Sequence, residues 1–338
     1  MKILGIETSC DETAVAVVED GKRVLCNVIA SQIDIHALTG GVVPEVAARE
    51  HVMNIIPALQ EALSGAGVAW NDIDALAVTQ GPGLISSLVV GTVTASTISH
   101  VLNKPLIPVQ HIVGHIYANW LETDTEIQFP VLILTVSGGH NELILMKGHD
   151  DFEVIGETLD DAAGEAFDKV ARLLRLGYPG GPVISKLAMD GDSERFQLPN
   201  MYLSDGSLDF SFSGLKSAVL REVQAFGEID ESSGEWQKFQ KDMAASFQRV
   251  VVEVLSEKLM WALERHSDVK EIHLAGGVSA NLALREAILA KKPEAVVFRY
   301  PKSLEFCTDN AAMIAGAAFF VKSNLEVQNV VADSSMEL

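Results

Sequence analysis

The chain has 338 residues, 48% hydrophobic and 21% charged, the composition of an ordinary folded protein with a sizeable core, which excludes intrinsic disorder and a disulfide-stapled miniprotein. Its 46 acidic residues against 25 basic ones give a formal net charge of −21. Bulk charge therefore cannot hold nucleic acid, and any RNA work needs a local basic patch or a more basic partner. The three cysteines, Cys10, Cys26 and Cys307, are too few and too widely spaced for a disulfide framework or a zinc ribbon.

The N-terminus carries Glu7 and lacks an apolar signal-peptide core, which predicts a soluble, cytoplasmic chain. Residues 2–19 read as strand, polar turn and strand, a hairpin whose turn holds Asp11 and Glu12. Residues 44–63 read as a helix with Val46, Val52, Ile55, Ile56, Leu59 and Leu63 on its buried face. A strand over 73–79 and the Gly81-Pro82-Gly83 turn lead into a helix over 84–102. That helix is too rich in Ser, Thr and Gly to read as a membrane span. Its Ser87, Gly91 and Ala95 form a small-residue stripe that suits close packing on the chain's own sheet or on a partner's helix. Residues 106–109 form a strand that runs into a helix carrying His111 and His115.

The hairpin pattern returns over 131–146, with Ser137-Gly138-Gly139-His140 as its turn, which points to an internal duplication. Helices follow over 161–174, 182–189 and 237–266, the last with Phe239, Met243, Phe247, Val250, Val251, Val254 and Leu255 as its buried stripe. A strand over 271–275 turns at Gly276-Gly277 into a helix from Asn281. The last helix spans 311–321, and 324–338 reads as a polar, frayed tail. Alternating strands and helices led twice by a hairpin predict an α/β fold with mixed sheets. This is the duplicated architecture of the actin-like ATPase and sugar-kinase class, two lobes around a central cleft. The lobes are expected at 1–115, with helix 310–323 packing back on the first, and at 126–305, before the tail.

Three constellations could carry chemistry. His111 and His115, four apart on a helix, share a face and can meet one ion, with Asp309 in Cys307-Thr308-Asp309-Asn310 as a candidate third ligand. Two imidazoles and a carboxylate suit Fe(II) or Zn(II) with open positions; the other reading is one capping and one core histidine. Glycine turns at Ser137-Gly138-Gly139, Tyr178-Pro179-Gly180-Gly181-Pro182 and Gly276-Gly277-Val278-Ser279-Ala280-Asn281 would let backbone approach a nucleotide phosphate. Asp11 and Glu12 are a general base in one reading and solvated turn acids in the other. Asp168 could reach a ribose hydroxyl or lie on a solvated helix face. Lys169, Arg172, Arg175, Lys291, Lys292, Arg299 and Lys302 are candidate phosphate contacts, with solvated surface the default reading. Cys10 and Cys307 are expected to pack rather than react.

An ordered series of motifs resembles one family. It runs through Gly5-Ile6-Glu7-Thr8-Ser9-Cys10-Asp11-Glu12-Thr13, Gly40-Gly41-Val42-Val43-Pro44-Glu45, Gly81-Pro82-Gly83-Leu84, His111-Ile112-Val113-Gly114-His115 and Val136-Ser137-Gly138-Gly139-His140. It continues through Asp160-Asp161-Ala162-Ala163-Gly164-Glu165-Ala166-Phe167-Asp168-Lys169, Tyr178 to Pro182, Asp209-Phe210-Ser211-Phe212-Ser213-Gly214-Leu215-Lys216, Gly276 to Asn281 and Phe306-Cys307-Thr308-Asp309-Asn310. The series is similar to the bacterial TsaD family of tRNA N6-adenosine threonylcarbamoyltransferases, formerly called glycoproteases or O-sialoglycoprotein endopeptidases.

The resemblance implies transfer of a threonylcarbamoyl group from threonylcarbamoyl-AMP to N6 of adenosine 37 in tRNAs that read codons starting with A. The product is t6A, and AMP leaves. One divalent metal is implied, Fe(II) ahead of Zn(II), held by His111, His115 and Asp309. The adenylate would lie against Thr135, Val136, Ser137, Gly138, Gly139, Asp168, Gly181 and Asn281, with Asp11 or Glu12 taking a proton from the attacking amine. Archaeal relatives place a metal-binding Tyr where Thr135 stands, so no fourth protein ligand is expected. Bacterial members often end in an Arg-containing tail, whereas this chain ends in Val-Ala-Asp-Ser-Ser-Met-Glu-Leu.

With a charge of −21, the chain alone is expected to bind tRNA weakly and to assemble with a TsaB-like paralogue and a TsaE-like ATPase. The Ser87–Gly91–Ala95 stripe is the expected contact with the paralogue. The rival readings are a small-molecule kinase of the same fold class, which leaves His111 and His115 without a use, and a metalloprotease, for which no His-Glu-x-x-His is present. A non-catalytic TsaB-like scaffold is the third, and it would not need Asp309 or the two histidines.

Overall fold

The computed structural model describes residues 1–203, 205–321 and 326–338. The ends of the expected back-packing helix and of the polar tail, at 322–325, lie outside the described residues. The strands are β1 (Lys2–Glu7), β2 (Glu12–Glu19), β3 (Arg23–Ser31), β4 (Ala75–Gly81), β5 (Leu106–Gln110), β6 (Val131–Val136), β7 (Asn141–Gly148), β8 (Asp151–Glu157), β9 (Glu271–Ala275) and β10 (Val297–Arg299). The helices are α1 (Ile33–Ala37), α2 (Pro44–Ala66), α3 (Ile85–Leu102), α4 (His111–Tyr117), α5 (Ala163–Leu173), α6 (Gly180–Ala188), α7 (Ser213–Phe226), α8 (Gly234–Arg265), α9 (Leu282–Lys291) and α10 (Ala311–Phe320).

Two five-stranded sheets repeat one plan. The first runs β3-β2-β1-β4-β5 and the second β8-β7-β6-β9-β10. In each, three antiparallel strands are followed by two parallel ones added beside the first. The hairpin strands are buried on both faces, which explains their nearly unbroken apolar runs. In β6 and β7, Leu132, Leu134, Leu143 and Leu145 face α5–α9, while Val131, Ile133, Ile144 and Met146 face a core shared with the first sheet.

That shared core holds α4 and α10. The face of the first sheet turned toward it is lined by Ala14, Ala16, Ala75 and Ala77. Small side chains there let the alanine-rich α10 lie close against β1 and β2. Both elements that carry the candidate metal ligands therefore stand on the interior scaffold.

Two expectations about helix faces are corrected. In α2 the buried face is Ala47, His51, Ile55, Ala58, Leu59 and Ala62, while Val52, Met53 and Ile56 are 60%, 71% and 54% exposed. His51 faces inward because it has polar partners there: Nδ1 lies 2.8 Å from Thr13 Oγ1 and Nε2 lies 3.0 Å from the Cys10 carbonyl. In α3 the Ser87–Gly91–Ala95 stripe is buried against the chain's own β1 end, and a Cβ on Gly91 would lie 2.5 Å from Thr8 Oγ1. The stripe is therefore not open to a partner. Among the described residues α3 is the one helix long and apolar enough to cross a membrane.

The C-terminal segment is also not frayed where it is described. The Leu106 N–H donates to the Glu326 carbonyl (2.9 Å), Val330 N–H to Ser96 Oγ (3.1 Å) and Asp333 N–H to the Gln80 carbonyl (2.9 Å). Backbone groups of β4 and β5 and the Ser96 hydroxyl on α3 supply its partners.

Candidate active site

The first hairpin turn and α4 build the centre. Gln110 caps α4, its side-chain oxygen accepting from the Val113 N–H at 2.9 Å, and one helical turn places His111 and His115 on the same face. Their rings meet edge to face with centroids 4.7 Å apart. Asn310 caps α10 through the Met313 N–H at 3.0 Å, and Asp309 projects just before it. Asp309 Oδ1 lies 3.1 Å from His115 Nε2 and 3.5 Å from His111 Nε2. The three donor atoms all fall within 4.8 Å of one another.

The donor set fits a divalent cation. His115 Nε2 is buried and makes no hydrogen bond with good geometry among the described residues, although Asp309 is at contact distance. Donors aimed at one point rather than at each other suit an ion between them. The field agrees: burial alone would lower His111, but the Asp309 and Glu7 carboxylates raise it to about 9. Burial would raise Asp309, and the two histidines instead bring it down to about 2.

Asp11 is buried and Glu12 half-buried, so these turn acids are not solvated. Burial, then the charges of Asp11 and Asp309, push Glu12 up to about 10.

The second hairpin turn faces this cluster. The Ser137 N–H donates to the His140 carbonyl at 2.8 Å and closes the turn, and Gly138 and Gly139 are exposed at its tip. His140 is pressed down to about 4, by burial first and then by the charges of His111 and His115. The Thr135 hydroxyl is buried with no hydrogen-bond partner among the described residues. Gly276, at φ +82°, lies against the Val136 carbonyl, where an added Cβ would be 2.5 Å away; only glycine lets these two turns converge.

Asp168 caps α6, accepting from the Gly180 N–H at 2.7 Å through one oxygen. Gly181 follows in the first turn of α6. Burial first, then the charges of Asp11 and Asp168, raise the Tyr178 hydroxyl. Asn281 is nearby but occupied. Its Oδ1 accepts from the Leu284 N–H (3.1 Å), and Nδ2 donates to Ser185 Oγ (3.0 Å) and Gln248 Oε1 (2.9 Å). A cavity of about 380 Å³ between α6, α8 and α9 is lined by Gln248, Arg249, Ala283 and Ala287 and adjoins Asn281 through Gln248.

Most of the candidate phosphate cations are not free. Lys169, Arg175, Lys291 and Arg299 are each paired with a carboxylate, and Arg172 donates across to the Gly40 carbonyl. Cys10 is unreactive in character, its thiol pushed up by burial and by Asp11, and Cys307 is buried. Ser9 Oγ lies 3.2 Å from His111 Nδ1. The sequence reading missed Glu7, Ser9, His140 and Gln248. Glu7, Ser9 and His140 stand inside motifs already singled out, whereas Gln248 lies mid-helix with no local signal.

Comparison with known proteins decides the family. A family model described as TsaD, tRNA N6-adenosine threonylcarbamoyltransferase, matches residues 23–316. The chain belongs to the TsaD family. A protein of that name from Thermomicrobium roseum is 52% identical, with 95% of this chain and 92% of that one covered. The Bacillus subtilis one is 52% identical, with 94% and 89% covered. As a TsaD-family enzyme the chain is a transferase that modifies tRNA.

Solved structures share the fold at low identity. Component A of the Acidaminococcus fermentans (R)-2-hydroxyglutaryl-CoA dehydratase has a TM-score of 0.54 at 16% identity, with 94% of this chain and 98% of that one covered. Full-length HypF has a TM-score of 0.60 at 14% identity, with 94% of this chain and 46% of that one covered. The fold is the actin-like one, with mixed sheets flanked by helices.

Proposed function

We propose that the chain transfers the threonylcarbamoyl group from threonylcarbamoyl-AMP to N6 of adenosine 37 in tRNAs reading codons that start with A. The observation that carries this reading is the meeting of His111, His115 and Asp309. The N6 amine attacks the carbamoyl carbonyl carbon, the bond from that carbon to the phosphate oxygen breaks, and AMP leaves with the bonding pair. Asp11 or Glu12 receives the amine proton. Gly138 and Gly139 offer turn amides to the phosphate from the turn that Ser137 closes, the second oxygen of Asp168 takes a ribose hydroxyl, and the Thr135 hydroxyl, without a partner among the described residues, supplies a donor. Val136 and Gly181 contribute backbone. Asn281, held by Ser185 and Gln248, flanks the adenylate.

A divalent ion at His111, His115 and Asp309, Fe(II) ahead of Zn(II), supplies Lewis-acid polarisation of the carbamoyl carbonyl when bound. The chain acts in the cytoplasm with a TsaB-like paralogue and a TsaE-like ATPase, since its charge of −21 disfavours tRNA binding alone. For the paralogue, the apolar faces of α2 and α3 left open to solvent, with Val52, Met53, Ile56, Val89 and Val93, replace the buried stripe as the contact.

Nucleoside analysis of unmodified tRNA incubated with the chain, the two partners and threonylcarbamoyl-AMP tests the reading. Formation of t6A that falls at least about 100-fold in Asp11→Asn is expected. Full activity in that variant would remove Asp11 from the chemistry, and no t6A with folded wild type would defeat the reading.

A further inference from the structure

Glu7, the last residue of β1, is fully buried and belongs to none of the groups assigned above. Both of its oxygens are engaged. Oε1 accepts from the Ser9 N–H at 2.5 Å, and Oε2 accepts from Thr79 Oγ1 at 2.5 Å while facing His111 Nδ1 at 3.2 Å. A carboxylate can only accept, so the proton between them sits on Nδ1, and Ser9 Oγ, also 3.2 Å from Nδ1, then accepts from the same N–H. Nε2 is then the nitrogen turned toward Asp309 and His115.

We propose that Glu7 is a positioning residue of the metal site, fixing the ring orientation and tautomer of His111 so that Nε2 is presented to the ion. The inference rests on the metal reading of His111, His115 and Asp309. Three physical points support it. A buried carboxylate costs several kcal/mol unless compensated, and the Ser9 N–H and Thr79 hydroxyl are neutral donors, so the group facing Glu7 that can balance its charge is His111 with the ion behind it. Glu7 and Asp309, the two carboxylates that face His111, together match the charge of a divalent ion. A ligand histidine whose other nitrogen donates to a carboxylate is also a better metal donor. Since its oxygens are already engaged by three groups, Glu7 is not free to take a proton from substrate. It acts through His111.

The test is metal affinity of the full chain, with Zn(II) as the probe and a chromogenic chelator as competitor. Glu7→Gln keeps size and is expected to bind Zn(II) roughly 10- to 100-fold more weakly. The d–d spectrum of the protein saturated with Co(II) should shift as well, which a purely structural loss would not cause. Thr79→Val removes a different donor to the same carboxylate; it should lower thermal stability and leave Zn(II) affinity unchanged. If Glu7→Gln fails to fold, Glu7→Asp, which withdraws the carboxylate by one methylene, is expected to fold and to weaken Zn(II) binding. Wild-type affinity and Co(II) spectrum in a folded Glu7 variant would overturn the proposal while leaving the metal site intact. A wild-type chain that binds no Zn(II) or Co(II) would overturn the metal reading itself and this one with it.

Discussion

Replacing Gly5 by alanine tests whether the packing of β1 on α10 sets the geometry of the site. Gly5 lies on the face of β1 that α10 covers, and an added Cβ would stand 2.4 Å from the Ala311 carbonyl oxygen and 2.9 Å from the Ala315 nitrogen. Both are backbone atoms, so no rotamer change relieves the contact, and the helix must withdraw by roughly 1 Å to regain van der Waals distance. Overpacking of this kind costs about 1–3 kcal/mol. At roughly 2 °C per kcal/mol for a chain of this size, Tm should fall by about 2–6 °C.

Asp309 stands two residues before α10, and metal–ligand distances tolerate only about 0.2 Å of error. The same shift should therefore weaken metal binding by about tenfold or more. Thermal unfolding of the metal-free chain reads the first effect, and competition for Zn(II) reads the second. Gly5→Ala with wild-type Tm would refute the packing argument. A lowered Tm with unchanged Zn(II) affinity would refute the link from β1 through α10 to Asp309.

Burial alone would raise Glu271, but hydrogen bonds from His273, Arg299 and the Gln128 N–H bring it down to about 2. Its folded value is below its ordinary one, so its contribution, about 3 kcal/mol, is present above about pH 4.5 and lost as pH falls toward 2. Acid unfolding of Glu271→Gln should lack that part of the pH dependence; an unchanged profile would show that the network adds nothing. Asp160 accepts from the Phe212 and Ser213 N–H groups (2.8 and 3.2 Å) and so caps α7 from a distance. Asp160→Ala should cost about 1–2 kcal/mol in urea unfolding. Val89→Asp with Val93→Asp should abolish pairing with a TsaB-like paralogue in size-exclusion chromatography and leave Tm near wild type, whereas Gly91→Leu should chiefly lower Tm. Pairing retained by the double variant would move the contact elsewhere.

Much of this molecule was legible from residue order. The two hairpins stood out because β1, β2, β6 and β7 are buried on both faces and read as apolar runs. The spacing of His111 and His115 placed them on one helical face, and the turn before the last helix supplied Asp309. Other features depend on tertiary context. Strands β3 and β8 are half-exposed, so their polar and apolar residues mix. The buried face of α2 turns on His51, whose partners Thr13 and Cys10 are distant in sequence, and hydrophobic periodicity therefore chose Val52 and Ile56 instead. In α3 apolar residues surround the helix, and small residues rather than large ones face the sheet, because β1 passes too close for anything larger. The role of Glu7 depends on a contact 104 positions away, beyond any local pattern.

The most direct test is a single-turnover assay with the chain, its partner proteins, threonylcarbamoyl-AMP and unmodified tRNA, comparing wild type with His111→Ala. Wild type should form t6A and AMP in equal amounts, and the variant, folded and at the same concentration, should form neither at a measurable rate. Equal t6A formation by both proteins would contradict the central claim that the cluster of His111, His115 and Asp309 is where transfer takes place.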